Sequence, residues 1–368
     1  MSAEPSPAGP RAAVLSTEPL PRLRTLLPPW PGTDVPVQGG SLFVRRTPWR
    51  GPVDGDGKTD GQSALRERAL YVHGLGGAST NWTDLAALLA VRFDGWSVDL
   101  PGFGRSQPPR RARYTISGSA AAVIEVLEHI RDLPGPGQGE PVHLLGNSLG
   151  GLVSLLVAAR RPDLVASLTL VSPAMPVYRV PAAFSRALLL LLLPGIPTLA
   201  ERRMARIAPE QHVRAMVRMC FGDPRRVPRA RIEQAIEEMR ERAEQPWADR
   251  ALTRSMRGLM TSYLRVGGTN AWQLARSLSM PTLVLWGDKD RLVDPALAPR
   301  LAAAIPGAVL HVLEGVGHVA MLEAPEETAR AVLGLVEGCD EGRNGGYDAG
   351  RDVPTSRAAA DTPRSVRP

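Results

Sequence analysis

The run Gly146-Asn147-Ser148-Leu149-Gly150-Gly151 puts a serine between glycines two positions before and two positions after it. A short apolar run at 142–145 leads into it and an apolar helical stretch at 149–159 leads out. A strand-to-helix turn that sharp has no room for side chains at the glycine positions. It exposes the Ser148 hydroxyl at a helix N-terminus, where the dipole favours developing negative charge. On its own the pattern also fits a plain glycine-rich turn; the elements on either side point to a nucleophile elbow.

A serine hydroxyl is a weak nucleophile until a base takes its proton. Of the six histidines, His129 and His212 fall in helical patterning, His143 and His311 in strands, and His73 heads a glycine-rich loop. His318 remains, in Glu314-Gly315-Val316-Gly317-His318, between the last strand and the last helix. A loop at a strand's carboxyl end faces the crevice where α/β folds bind ligands. The base needs an acid to fix its tautomer. Trp286-Gly287-Asp288-Lys289-Asp290 offers two, Asp288 and Asp290, whereas Asp294 before Pro295 reads as a helix cap. The chain order Ser…Asp…His does not choose between Asp288 and Asp290. Attack on a carbonyl also needs donors for the oxyanion. The backbone N–H of Leu149 is one. His73-Gly74-Leu75-Gly76-Gly77, after the first buried strand, supplies the second from Leu75.

These groups need a scaffold that presents strand ends on one edge. Short apolar runs at 69–73, 96–100, 142–145 and 168–171 alternate with helical patterning at 83–90, at 115–130 with Thr115 as its N-cap, and at 149–159. The rhythm stops at 176, where only helical patterning continues to 280. It then resumes with strands at 282–286 and 309–313 and helices at 296–304 and 325–336. The fold class is therefore α/β, a doubly wound, mostly parallel sheet with a helical cap insertion. Residues 41–175 and 281–337 form the two parts of the core, with an early strand at 41–46 and a loop at 47–62. Residues 176–280 form the cap, and residues 1–40 and 338–368 read as disordered tails.

Composition narrows the function classes. The 368 residues suffice for a full core, and Cys220 and Cys339, the two cysteines, belong to no disulfide framework or zinc motif. No secretory leader pattern stands at the N-terminus, and the apolar stretch before Pro194 is far too short to cross a bilayer, so a soluble cytoplasmic protein is expected. The net charge of +7 is carried almost wholly by arginine. Residues 176–280 hold eighteen Arg against nine acidic residues. Aromatic residues are scarce and no basic stripe interleaves with them, which argues against nucleic acid. A solvated basic face is preferred over contact with a membrane surface.

Taken together, Val72–Gly77, Asp99-Leu100-Pro101-Gly102-Phe103-Gly104-Arg105-Ser106, the elbow, Trp286–Asp290, and Gly317-His318 leading to Glu323-Ala324-Pro325 resemble the α/β-hydrolase superfamily. The similarity is to its cap-bearing branch of esterases, lipases, C–C hydrolases and their relatives. It covers 69–337 in family order. The resemblance implies that Asp290 is the acid, that the 99–106 loop is structural, and that the cap covers the nucleophile. A serine in place of a carboxylate nucleophile disfavours dehalogenase and epoxide-hydrolase chemistry. The expected reaction is hydrolysis of a carboxylic ester or thioester through an acyl-enzyme, with Ser148, His318 and Asp290 as triad and no metal or organic cofactor. Alternatives are a C–C bond hydrolase, an acyltransferase, or a ligand-binding protein without turnover. Leu188–Leu193, Leu199 and Met204, Met216, Met219, Met239, Met256 and Met260 in the cap suit an apolar acyl substrate.

Overall fold

The computed structural model describes residues 10–23, 27–52, 66–108, 114–176, 206–264 and 270–348, with the side chains of the last few residues excepted. Nine strands form one sheet: β1 (Arg11–Ala12), β2 (Gly32–Val37), β3 (Gly40–Thr47), β4 (Glu67–Val72), β5 (Phe93–Val98), β6 (Val142–Asn147), β7 (Val165–Val171), β8 (Thr282–Gly287) and β9 (Val309–Leu313). Their spatial order is β1-β9-β8-β7-β6-β4-β5-β3-β2. All neighbours run parallel except β3, which is antiparallel to both β2 and β5.

Helices α1 (Thr83–Leu89), α2 (Ile116–Asp132) and α3 (Leu149–Arg160) follow strands in the first part of the core. α8 (Leu297–Ala304), α9 (Ala320–Glu323) and α10 (Pro325–Asp348) belong to the second. Alternate strand residues face opposite sides of the sheet, and the split is visible in the core. Leu70, Val72, Leu144, Val284 and Trp286 pack with α2, α3 and α8. Ala69, Tyr71, Leu145, Leu283 and Leu285 pack with α1 and α10. Thr115 caps α2 by accepting from Gly118 N at 3.1 Å, as the sequence suggested. The cap helices are α4 (Pro209–Cys220), α5 (Arg229–Ala243), α6 (Ala248–Tyr263) and α7 (Ala271–Arg276).

Three expectations need correcting. Residues 1–40 are not wholly a disordered tail. β2 pairs along its length with β3 and buries Val35 and Val37, with Pro36 tolerated on an edge strand. β1 pairs with β9, and Ser16 N donates to Arg330 O at 2.9 Å, so long-range bonds hold a segment whose composition reads as loose. The closing helix also passes 338 and runs to Asp348. Arg92 anchors it through an ion pair with Asp340 at 2.5 Å. Finally, the strand expected at 96–100 lies at Phe93–Val98, because Asp99 and Leu100 already belong to the loop that follows. The loop expected at 47–62 falls largely in 53–65, and Leu188–Leu193, Leu199 and Met204 in 177–205, outside the described residues.

Candidate active site

Ser148 sits where β6 becomes α3, half-buried, with φ 55° and ψ −118°. A non-glycine residue in that region costs about 1–3 kcal/mol and persists only where its surroundings hold it. Ser148 N donates to Val171 O at 3.0 Å, while Ser148 O accepts from Leu152 N and Ala174 N at 3.1 and 2.9 Å. The glycines are steric necessities. A Cβ on Gly146 would lie 2.4 Å from Ser154 Oγ, and one on Gly150 would lie 2.3 Å from Val72 O.

Asp290 and His318, the expected acid and base, follow the ends of β8 and β9. His318 Nδ1 lies 2.7 Å from Asp290 Oδ2, and both side chains are buried. An ionised carboxylate only accepts, so the proton sits on Nδ1 and leaves Nε2 to act as a base. The other oxygen, Asp290 Oδ1, accepts from the backbone N–H of Leu292 and Val293 at 2.8 and 3.0 Å. Asp288 turns elsewhere: it accepts from Gly315 N at 2.6 Å and from Lys289 Nζ at 2.8 Å, and these contacts hold its carboxyl below the usual range. Of the two aspartates, Asp290 is the one brought against His318.

Asn147 adds a brace that the sequence did not disclose as a site feature. Its amide donates to Val171 O at 3.1 Å and to His318 O at 3.0 Å, using both hydrogens. The glycine loop after β4 lies against the elbow: a Cβ on Gly74 would meet Ser148 Cβ at 3.1 Å. His73 fixes that loop. Its Nε2 accepts from Leu100 N at 3.0 Å, so its proton is on Nδ1, which donates to Gly74 O at 2.7 Å. Burial holds His73 below the ordinary imidazole range, and it stays neutral. Of the expected oxyanion donors, Leu75 lies in that loop and lines the same cavity as Ser148, and Leu149 holds the first position of α3, where a helix leaves its N–H without an intrahelical partner.

The loop at 99–106 is structural. Asp99 accepts from Ser79 N and Arg105 N at 2.5 and 2.9 Å, and Ser106 Oγ links Asp99 O to Phe43 N.

A cavity of about 1110 Å³ joins core and cap, and Ser148, His318, Asp290 and Leu75 line it together. From the cap come Met216, Met219, Met239, Met256 and Met260. The cap's arginines divide. Arg225, Arg229 and Arg240 form exposed pairs with neighbouring acids. Arg242 turns inward instead, donates to Gly76 O at 3.2 Å and stacks 5.2 Å from the Phe103 ring. Burial lowers its pKa below the usual guanidinium value. His212 also faces the cavity, held below the ordinary imidazole range by burial and then by Arg242. Among the described residues, no cluster of three or more His, Cys, Asp or Glu could hold a metal ion, and no helix is long and apolar enough to cross a membrane.

Comparison with known proteins places this geometry. The family model described as alpha/beta hydrolase fold matches residues 70–325. Lipase 3 of Moraxella sp. (strain TA144) is 28% identical over 268 residues, covering 72% of this chain and 75% of that protein. The monoacylglycerol lipase abhd6-B of Xenopus laevis is 25% identical, covering 73% and 75%. Among solved structures, a bacterial membrane phospholipase A superposes with a TM-score of 0.64 at 24% identity, covering 84% of this chain and 86% of that one.

Proposed function

The chain belongs to the α/β-hydrolase fold family, and on that footing we propose that it hydrolyses carboxylic esters of apolar acyl groups, with Ser148 as nucleophile. It is an enzyme of the carboxylic-ester-hydrolase kind, as are the lipases it resembles. The observation that carries the fuller reading is the 2.7 Å pairing of His318 with Asp290 in the cavity that also holds the strained Ser148.

The mechanism follows from the placement of groups. His318 Nε2 takes the proton of Ser148 Oγ, which attacks the ester carbonyl and forms a tetrahedral adduct. The oxyanion lies between the N–H groups of Leu149 and Leu75. Both belong to backbone fixed before substrate arrives, the first by α3 and the second by the His73 bond to Gly74 O. Imidazolium formed on His318 is stabilised by Asp290, whose own charge is held by two backbone donors. His318 then protonates the leaving alcohol. Water, activated by the same base, releases the acid and restores the serine.

The methionines facing the cavity suit an irregular acyl chain, because the thioether side chain adapts its shape. The test is hydrolysis of p-nitrophenyl esters of graded chain length by the wild type beside Ser148→Ala. Turnover with a preference beyond the shortest esters, lost in the variant, supports the reading. Wild-type protein inert toward every ester would reject it and bring C–C cleavage forward.

A further inference from the structure

Between α4 and the short turn that follows it, the cap's backbone lies directly on the loop that carries the base. A Cβ on Gly317 would meet Cys220 O at 2.3 Å and Gly222 N at 2.5 Å, and one on Gly222 would meet Gly315 O at 2.4 Å. His318 N donates to Cys220 O at 2.7 Å. Two stretches of main chain, about a hundred residues apart, are therefore packed without intervening side chains.

One carboxylate joins them. Glu323, at the end of α9, accepts from Gly317 N at 2.8 Å and Gly222 N at 2.9 Å on Oε2, and from Asp223 N at 2.9 Å on Oε1. Three backbone donors from two separate segments thus converge on a single half-buried side chain. A carboxylate is an acceptor only, with room for several donors on each oxygen, so no neutral residue of this size satisfies all three equally well. Nothing in the triad itself requires Glu323.

We infer that Glu323 is a positioning residue that locks the cap turn between α4 and α5 to the His318 loop, so that the base is correctly placed only while that part of the cap is docked. This rests on the reading of Ser148 and His318 as reacting groups. Gly317 is bonded covalently to His318, and Asp290 and Asn147 hold the imidazole and carbonyl of His318 from the core side. The cap side is held by Cys220 O and, through Gly317, by Glu323. Loss of that side lets the loop move while the core anchors stay in place. A displacement of the order of 1 Å in a catalytic group can cost about 100-fold in rate.

The experiment measures ester hydrolysis by the wild type, Glu323→Ala and Glu323→Gln, with kcat expressed per serine that reacts with a fluorophosphonate, and with thermal unfolding recorded for each. For Glu323→Ala the expected result is a fall in kcat of about 10–100-fold with KM within a few-fold of wild type. Glu323→Gln keeps one oxygen able to serve Gly317 and Gly222, and is expected to recover much of the loss. Should Glu323→Ala not fold, Glu323→Gln decides, with a several-fold fall in kcat expected. Gly222→Ala, which disturbs the same contact with Glu323 intact, should lower kcat in the same sense. Wild-type kcat per reactive serine in any folded Glu323 variant, or loss explained entirely by unfolded protein, would overturn the inference. A wild type that neither hydrolyses esters nor reacts at Ser148 would instead reject the proposed function itself.

Discussion

The side-chain amide of Asn147 donates to the main-chain carbonyl of His318 at 3.0 Å, linking the residue before Ser148 to His318 across 171 positions of chain. The same amide holds Val171 O, the carbonyl that Ser148 N also uses. Ser148 and His318 are thereby tied to one another through Asn147 and the backbone at Val171.

Replacing Asn147 with Ala should therefore take the side-chain donor from His318 O and one of the two donors from Val171 O, which keeps Ser148 N. A cost of about 1–3 kcal/mol in stability is expected, together with a fall in kcat of about 10-fold from a looser His318. Denaturant titration and steady-state kinetics check the two effects separately. Unchanged values for both would remove Asn147 from this account.

Gly150→Ala tests the elbow's geometry. The added methyl group would sit 2.3 Å from Val72 O, a backbone atom that cannot swing aside. We expect loss of at least about 100-fold in activity, or failure to fold. Full activity with wild-type stability would mean that the turn is looser than described.

Cys220 lines the cavity beside the triad, yet its thiol is pushed up to about 12, first by burial and then by the charge of Asp290. The thiolate is the reactive form. Native protein treated with iodoacetamide at pH 8 should keep Cys220 unmodified, whereas denatured protein should be alkylated there, as read by peptide mass. Rapid native modification would contradict the placement.

Glu67, at the start of β4, is raised by burial, but hydrogen bonds from His143 and Arg92 prevail and bring its pKa down to about 2. A depressed folded-state pKa stabilises the fold above the unfolded carboxylate range, and that stability is lost as pH falls toward 2. Glu67→Gln should thus flatten the decline in stability between about pH 4.5 and 2, its stability differing most from wild type above that window. Parallel acid profiles for the two proteins would exclude the ion pair as a source of acid sensitivity.

Much of the core was legible because its signals are local. The glycines of the elbow, the apolar runs of β4, β6 and β8, and the Thr115 cap each depend on neighbours in sequence. The chain order of Ser148, Asp290 and His318 came from the same kind of reading, though the choice of Asp290 over Asp288 needed the family pattern. What escaped is non-local. β1 is two residues long and exists only because β9 offers an open edge. β2 contains Pro36 and shows one polar face, so little but its pairing with β3 marks it as a strand. α10 continues through Gly338 because its other contacts, including the Arg92–Asp340 pair, outweigh that residue's poor helix propensity. The braces at Asn147, Arg242 and Glu323 were invisible for a related reason. Each hydrogen-bonds backbone far away in sequence, His318 O, Gly76 O and Gly222 N respectively, and side-chain type says nothing about which carbonyl or N–H it will find.

The central claim is that Ser148 is a nucleophile activated by His318, and covalent trapping addresses it directly. Wild-type protein would be incubated with a fluorophosphonate ester beside His318→Ala and Ser148→Ala, then digested and mapped by mass spectrometry. The account predicts a single phosphonyl adduct on Ser148 in the wild type, slowed by at least about 1,000-fold in His318→Ala and absent from Ser148→Ala. An adduct on another residue, or labelling of Ser148 that proceeds undiminished without His318, would contradict it.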